Sequence, residues 1–140
     1  MTFVKPPLLL LVDDEQGVRE SLKMVFGKSF RLLEADCADA ALPQVRDALP
    51  DVVLLDVMMP KTDGLEILQR IKELHPRCEV IMLTAITSLQ VAEKAMSLGA
   101  FDLIGKPFDV VDLRQKVIRA VAKVARNSIE PAPSSLLFNS

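Results

Sequence analysis

The sequence has no tryptophan, no tyrosine and a single histidine, His75, among 140 residues. Few large aromatic faces leave little to stack on a base or a flavin, which argues against flavin and single-strand nucleic-acid binding. Cysteine is scarce as well. Cys37 and Cys78 lie far apart, form no CxxC pair, and read as buried, reduced thiols of a cytosolic protein. Neither sign of charge is in excess: 17 Lys and Arg against 19 Asp and Glu leave −2. A dedicated nucleic-acid binder would carry a large basic surplus. Long hydrophobic runs are missing too. Leu8–Val12 stops at two acids after five residues. A secretory core needs more length, and a membrane span needs about 20 apolar residues. The expected address is the cytoplasm, with no membrane partner and no direct nucleic-acid contact.

What is present is an alternation. Short runs rich in Val, Ile and Leu stand at Leu8–Val12, Arg31–Ala35, Val52–Leu55, Val80–Leu83 and Phe101–Ile104. Lacking polar alternation, they suit strands buried on both faces. Between them, helical spacing predicts helices over Gln16–Phe26, Ala38–Ala48, Gly64–Leu74, Ser88–Leu98 and Val110–Ala125. Pro43 removes one backbone bond from the second, which predicts a kink or a late start. Gly99 is a natural left-handed stop for the fourth. That helix carries two apolar rows, more than one buried face needs, so one row is either core or an exposed patch for a partner. Five strands alternating with five helices predict a parallel sheet covered on both faces, the doubly wound α/β class. Residues 1–126 form the predicted domain. Residues 127–140, rich in Pro and Ser, read as a linker or tail.

Charge interrupts the strands at their carboxyl ends. The first ends in Asp13-Asp14-Glu15, the third in Asp56 and the fourth in Thr84, and Lys106-Pro107 follows the fifth. In an open parallel sheet these ends share one edge, where ligands bind at a reversal of strand order. If the first and third strands are neighbours, carboxylates, a hydroxyl and an ammonium converge. Clustered carboxylates repel unless a cation intervenes, and hard oxygen donors without Cys or His favour Mg²⁺ or Mn²⁺. Such a metal characteristically meets phosphate oxygens. A carboxylate attacking phosphorus forms an acyl phosphate.

The strings Leu9–Glu15, Val52–Pro60 with Asp63-Gly64, Met82–Ala85 and Gly99–Phe108 together resemble the receiver domain of bacterial two-component response regulators, over about residues 7–125. The resemblance implies a flavodoxin-like sheet of strand order 2-1-3-4-5 and Mg²⁺ as cofactor. It makes Asp56 the phosphoacceptor, with Asp14 binding the metal directly, Asp13 through water, and the Met58 carbonyl as a further ligand. Thr84 and Lys106 would contact the phosphoryl group, and the Lys106–Pro107 bond is often cis. The donor would be a sensor histidine kinase or a phosphotransfer protein, and a downstream output domain or protein would read the result. The implied chemistry is self-phosphorylation and self-dephosphorylation, with no outside metabolite turned over. A homodimer through the fourth helix, fifth strand and fifth helix is a further implied partner. By analogy, the Gly99–Asp102 stretch and the tail are similar to receivers fused to ATPase-type transcription activators. The chain departs from the pattern at Leu103, where Tyr or Phe is common, so movement of the loop after Thr84 and of the fourth helix would carry the signal.

Simpler readings stand beside these. Asp13, Asp14 and Glu15 could be helix-N-terminal acids, Thr84 a strand residue and Lys106 a solvated loop lysine. His75, before a proline at a helix end, reads as a surface residue. The alternative function is a small Mg²⁺-dependent phosphohydrolase with an aspartyl nucleophile. A third reading is an unphosphorylated interaction module.

Overall fold

In the computed structural model, residues 5–85 and 88–129 are described. The five sheet strands are β1 (Leu8–Val12), β2 (Arg31–Ala35), β3 (Val52–Asp56), β4 (Glu79–Thr84) and β5 (Asp102–Gly105). The helices are α1 (Gln16–Phe26), α2 (Ala38–Ala48), α3 (Gly64–Leu74), α4 (Leu89–Ser97) and α5 (Val110–Ile129). All sheet pairings are parallel, in the order β2-β1-β3-β4-β5. The sheet is the one implied by the resemblance, and β1 and β3 are neighbours.

Alternation along the central strands splits the core into two layers. Leu10, Val12, Val53, Leu55, Val80 and Met82 point to one face, where α2, α3 and α4 supply Val45, Leu68, Ile71 and Ala95. Leu9, Leu11, Leu54, Ile81 and Leu83 point to the other, where α1 and α5 supply Leu22, Phe26, Leu113 and Val117. Both faces of β1, β3 and β4 are therefore covered, and every residue of these strands is buried. The edge strand β2 differs: Arg31 and Glu34 are exposed, because it has a neighbour on one side only.

Local details follow from the chain. α2 begins at Ala38 and runs through Pro43, so the expected late start does not occur. α3 is capped by the Asp63 carboxylate, which accepts from the Leu65 N–H at 2.9 Å. α4 is capped by Ser88, whose hydroxyl accepts from Val91. Gly99, at φ 98°, turns the chain from α4 into β5, a conformation that favours glycine. Leu89 and Met96 on α4 are 71% and 50% exposed, while Val91 and Leu98 pack on the core. One of the two apolar rows thus faces outward in part. α5 extends to Ile129, past the expected end at Ala125, and residues 130–140 lie outside the described residues. Among the described residues, no helix is long and apolar enough to cross a membrane.

The two thiols are not alike. Cys78 is buried, as expected, and burial pushes its thiol up to about 12. Cys37 is exposed, contrary to the expectation, because it is the extended residue that leads into α2. A maleimide should therefore modify one cysteine per folded chain at neutral pH, Cys37, and reach Cys78 only after denaturation. Equal labelling rates for the two in native protein would contradict this packing.

Candidate functional site

The carboxyl ends of β1, β3, β4 and β5 meet at one edge. The register aligns Asp56 with Leu83 and Thr84 with Gly105. Two backbone bonds close the strand ends around the site: Val57 N–H donates to the Leu83 carbonyl at 2.9 Å, and Lys106 N–H to the Thr84 carbonyl at 2.8 Å. Asp13, Asp56 and Thr84 are buried, an unusual placement for the two carboxylates. Lys106 reaches in from the loop after β5. Its ammonium donates to Asp13 Oδ2 at 2.9 Å and lies 3.4 Å from Asp56 Oδ2. The Lys106–Pro107 peptide bond is cis.

Each buried carboxylate is held on its other oxygen as well. Asp13 Oδ1 accepts from the Glu15 N–H at 2.9 Å. Asp56 Oδ1 accepts from the Met58 N–H at 3.0 Å. Asp13 thus does more than decorate the start of α1: it binds across the sheet to Lys106. Lys106 is no solvated loop lysine either, being mostly buried between two acids.

The electrostatics follow the geometry. Burial raises the Asp56 carboxyl above the usual carboxylate range, the Met58 N–H opposes this, and the neighbouring Asp13 adds to it. Burial lowers the Lys106 ammonium, but the hydrogen bond and charge of Asp13, with the charge of Asp56, outweigh it and leave Lys106 above the usual lysine range. Lys106 is therefore a fixed cation.

Carboxylate oxygens of Asp13, Asp14, Glu15 and Asp56 lie within 4.8 Å of one another. Asp14 and Glu15 are exposed and open the cluster to solvent. One ammonium cannot neutralise four carboxylates, and the donors are all hard oxygens. The set fits a divalent cation such as Mg²⁺. Glu15 has no role in the resemblance, yet it joins the cluster; its signal was its place as the third acid of the run.

The segment after Asp56 folds back on itself. Met58–Met59 pairs antiparallel with Thr62–Asp63, a two-rung ladder absent from the sequence reading because two-residue strands carry no periodicity. Lys61, at φ 63°, makes the turn. Gly64 lies against Val57, so a Cβ there would stand 2.6 Å from the Val57 Cα and carbonyl oxygen. Met58 is thereby fixed beside Asp56, and the residue is 54% exposed.

The chain as a whole matches a known family. The response regulator receiver domain family matches residues 9–118. The chain belongs to that family. As a receiver, it is 39% identical over 116 residues to the regulatory protein AtoC of Escherichia coli (strain K12), a match covering 81% of this chain and 25% of AtoC. It is 38% identical over 110 residues to sporulation initiation phosphotransferase F of Bacillus subtilis (strain 168), covering 78% of this chain and 89% of that protein. Among solved structures, the CheX-CheY-BeF3-Mg+2 complex from Borrelia burgdorferi aligns with a TM-score of 0.78 at 29% identity, covering 82% of this receiver and 89% of that chain. The receiver spans about a quarter of the length of AtoC.

Leu103, at the position where the family commonly has an aromatic residue, is half-buried in β5, pairs with Met82, and packs on the α2–α3–α4 side of the core.

Proposed function

We propose that this receiver accepts a phosphoryl group on Asp56 and signals through the change of charge that follows. The observation that carries the reading is a buried aspartate held between a fixed ammonium and a ring of carboxylates. Asp13, Asp14 and Asp56, with the Met58 carbonyl, would hold Mg²⁺. The bound ion would neutralise the acids and the oxygens of an incoming phosphoryl group.

The chain's own groups account for the rest. An Asp56 carboxylate oxygen attacks the phosphorus of a phosphohistidine on a kinase or phosphotransfer protein. The O–P bond forms as the N–P bond breaks, and the histidine nitrogen keeps the electron pair. Lys106, poised beside Asp56, shifts its hydrogen bonding toward the new oxygens. Thr84, at the end of β4, offers a hydroxyl to the same group. The adduct carries roughly two negative charges at a buried edge where the free carboxylate carries one. The exposed row of α4 and the loop after β4 would present the result to an output domain or protein, or to a second copy through α4, β5 and α5. The matches to longer regulators favour an output domain on the same chain, and the segment after α5 would then be the linker to it.

The alternative phosphohydrolase would want a general acid close to Asp56, and Met58 stands two residues on. Incubation with acetyl phosphate and Mg²⁺ separates the two. The proposal expects at most one phosphoryl group per chain by intact mass and slow loss after donor removal. Rapid multiple turnover of small phosphomonoesters would overturn it.

A further inference from the structure

Arg19 lies on α1, outside the acid cluster, yet its side chain is mostly buried, with 14% exposed. Its Nη1 donates to the Asp13 backbone carbonyl at 2.6 Å. Its Nε donates to Glu34 Oε1 on β2 at 2.9 Å. Glu34 also takes Lys23 from α1 at 2.7 Å. On its other side, the Asp13 N–H donates to the Ala35 carbonyl of β2 at 3.1 Å. The peptide groups flanking Asp13 are therefore held by β2 through Ala35 and by α1 through Arg19. Both oxygens of its carboxylate are held by Glu15 N–H and Lys106.

We propose that Arg19 is a positioning residue for the cation pocket: it fixes the Asp13 backbone so that the carboxylate meets the metal, and Glu34 fixes Arg19. The inference rests on the reading of the cluster as a Mg²⁺ site. A guanidinium suits this task because its planar fork binds two acceptors in set directions, which a lysine cannot do. Groups that orient metal-binding side chains commonly affect affinity by about tenfold or more.

The sign of the effect separates positioning from charge. Arg19 is a cation near a cation site, so on charge alone its removal would tighten Mg²⁺ binding. Positioning demands the opposite. Mg²⁺ titration of the whole chain by calorimetry, at about 0.15 M ionic strength to screen exposed charges, should give Arg19→Gln roughly tenfold weaker binding than wild type. Arg19→Lys, able to reach only one acceptor, should fall between them. Glu34→Ala should weaken binding in the same direction, and adding it to Arg19→Gln should cost nothing more, because Glu34 acts through Arg19. In metal-free protein, exchange of the Glu15 amide, the donor to Asp13, should speed up in Arg19→Gln while amides of Leu9–Leu11 stay protected. Unchanged or tighter Mg²⁺ binding by Arg19→Gln would overturn the inference. Should that variant fail to fold, unchanged binding by Glu34→Ala, at an exposed position, would overturn it equally. Absence of Mg²⁺ binding by wild type would instead overturn the reading on which it rests.

Discussion

Asp56→Asn should abolish the covalent adduct, lowering phosphorylation by acetyl phosphate at least about a hundredfold, because an amide oxygen is a far poorer nucleophile than a carboxylate. The variant should nevertheless be more stable than wild type in EDTA. Asp56 is a buried carboxylate beside Asp13, and burial raises its pKa in the fold. A raised carboxyl pKa means that the native state binds the proton more tightly than the unfolded chain. This group's contribution therefore grows as pH falls through the raised folded value, and it is complete below the ordinary unfolded value. Above that window the ionised form costs stability. Asparagine is neutral at every pH and can still accept from the Met58 N–H. A gain of about 1 kcal/mol at neutral pH is expected in chemical denaturation. The sign should reverse in Mg²⁺, which stabilises wild type by mass action and the variant less. A variant less stable than wild type in EDTA would show that Asp56 is not the strained group of the site.

The second large effect belongs to Gly64→Ala. Here the new methyl meets backbone, Val57 Cα and its carbonyl oxygen at 2.6 Å, and backbone cannot swing aside as a side chain does. A loss of about 3 kcal/mol is expected in urea unfolding. The cost has a local consequence as well. Relief of the clash must push α3 away from Val57, the residue joining Asp56 to Met58. Mg²⁺ affinity and the rate of phosphorylation should fall even at temperatures where the variant is folded. Gly17 offers the control: nothing lies within 4 Å of a Cβ there, so Gly17→Ala should be benign. A Gly64→Ala protein within about 1 kcal/mol of wild type would mean that the segment after Asp56 yields easily.

These effects show which parts of the molecule were legible in the chain and which were not. β1, β2, α1, α2 and α3 fall where the apolar patterns place them. Their signals are local: a run of Leu ended by acids, a 3.6-residue spacing closed by Leu74-His75-Pro76. β5 is displaced by one residue, from Phe101–Ile104 to Asp102–Gly105, because its limits are set by pairing with Ile81–Thr84 and not by hydropathy. The exposure of β2 was hidden for a related reason. Arg31-Leu-Leu-Glu-Ala35 looks like a buried run until strand order makes it an edge, and order came from the resemblance, not from periodicity. The same holds for Cys37, whose exposure depends on where α2 starts relative to the sheet.

The site was legible to the extent that it consists of strand ends. Asp13, Asp56, Thr84 and Lys106 each follow or end a strand, and parallel topology carries them to one edge. The Met58–Asp63 ladder, the closeness of Gly64 to Val57, and Arg19's bond to the Asp13 carbonyl are tertiary contacts without a pattern of their own. They hold the acids in place, and only coordinates reveal them.

The central claim is that Asp56 takes up phosphorus because the surrounding carboxylates hold a divalent cation. Borohydride reduction of the acyl phosphate followed by peptide mass mapping tests it most directly, since the reduced aspartate marks the bond. With acetyl phosphate and Mg²⁺, the mark should appear on the peptide containing Asp56, and it should vanish when EDTA replaces the metal. A mark on any other residue, or one of equal yield in EDTA, would contradict the account.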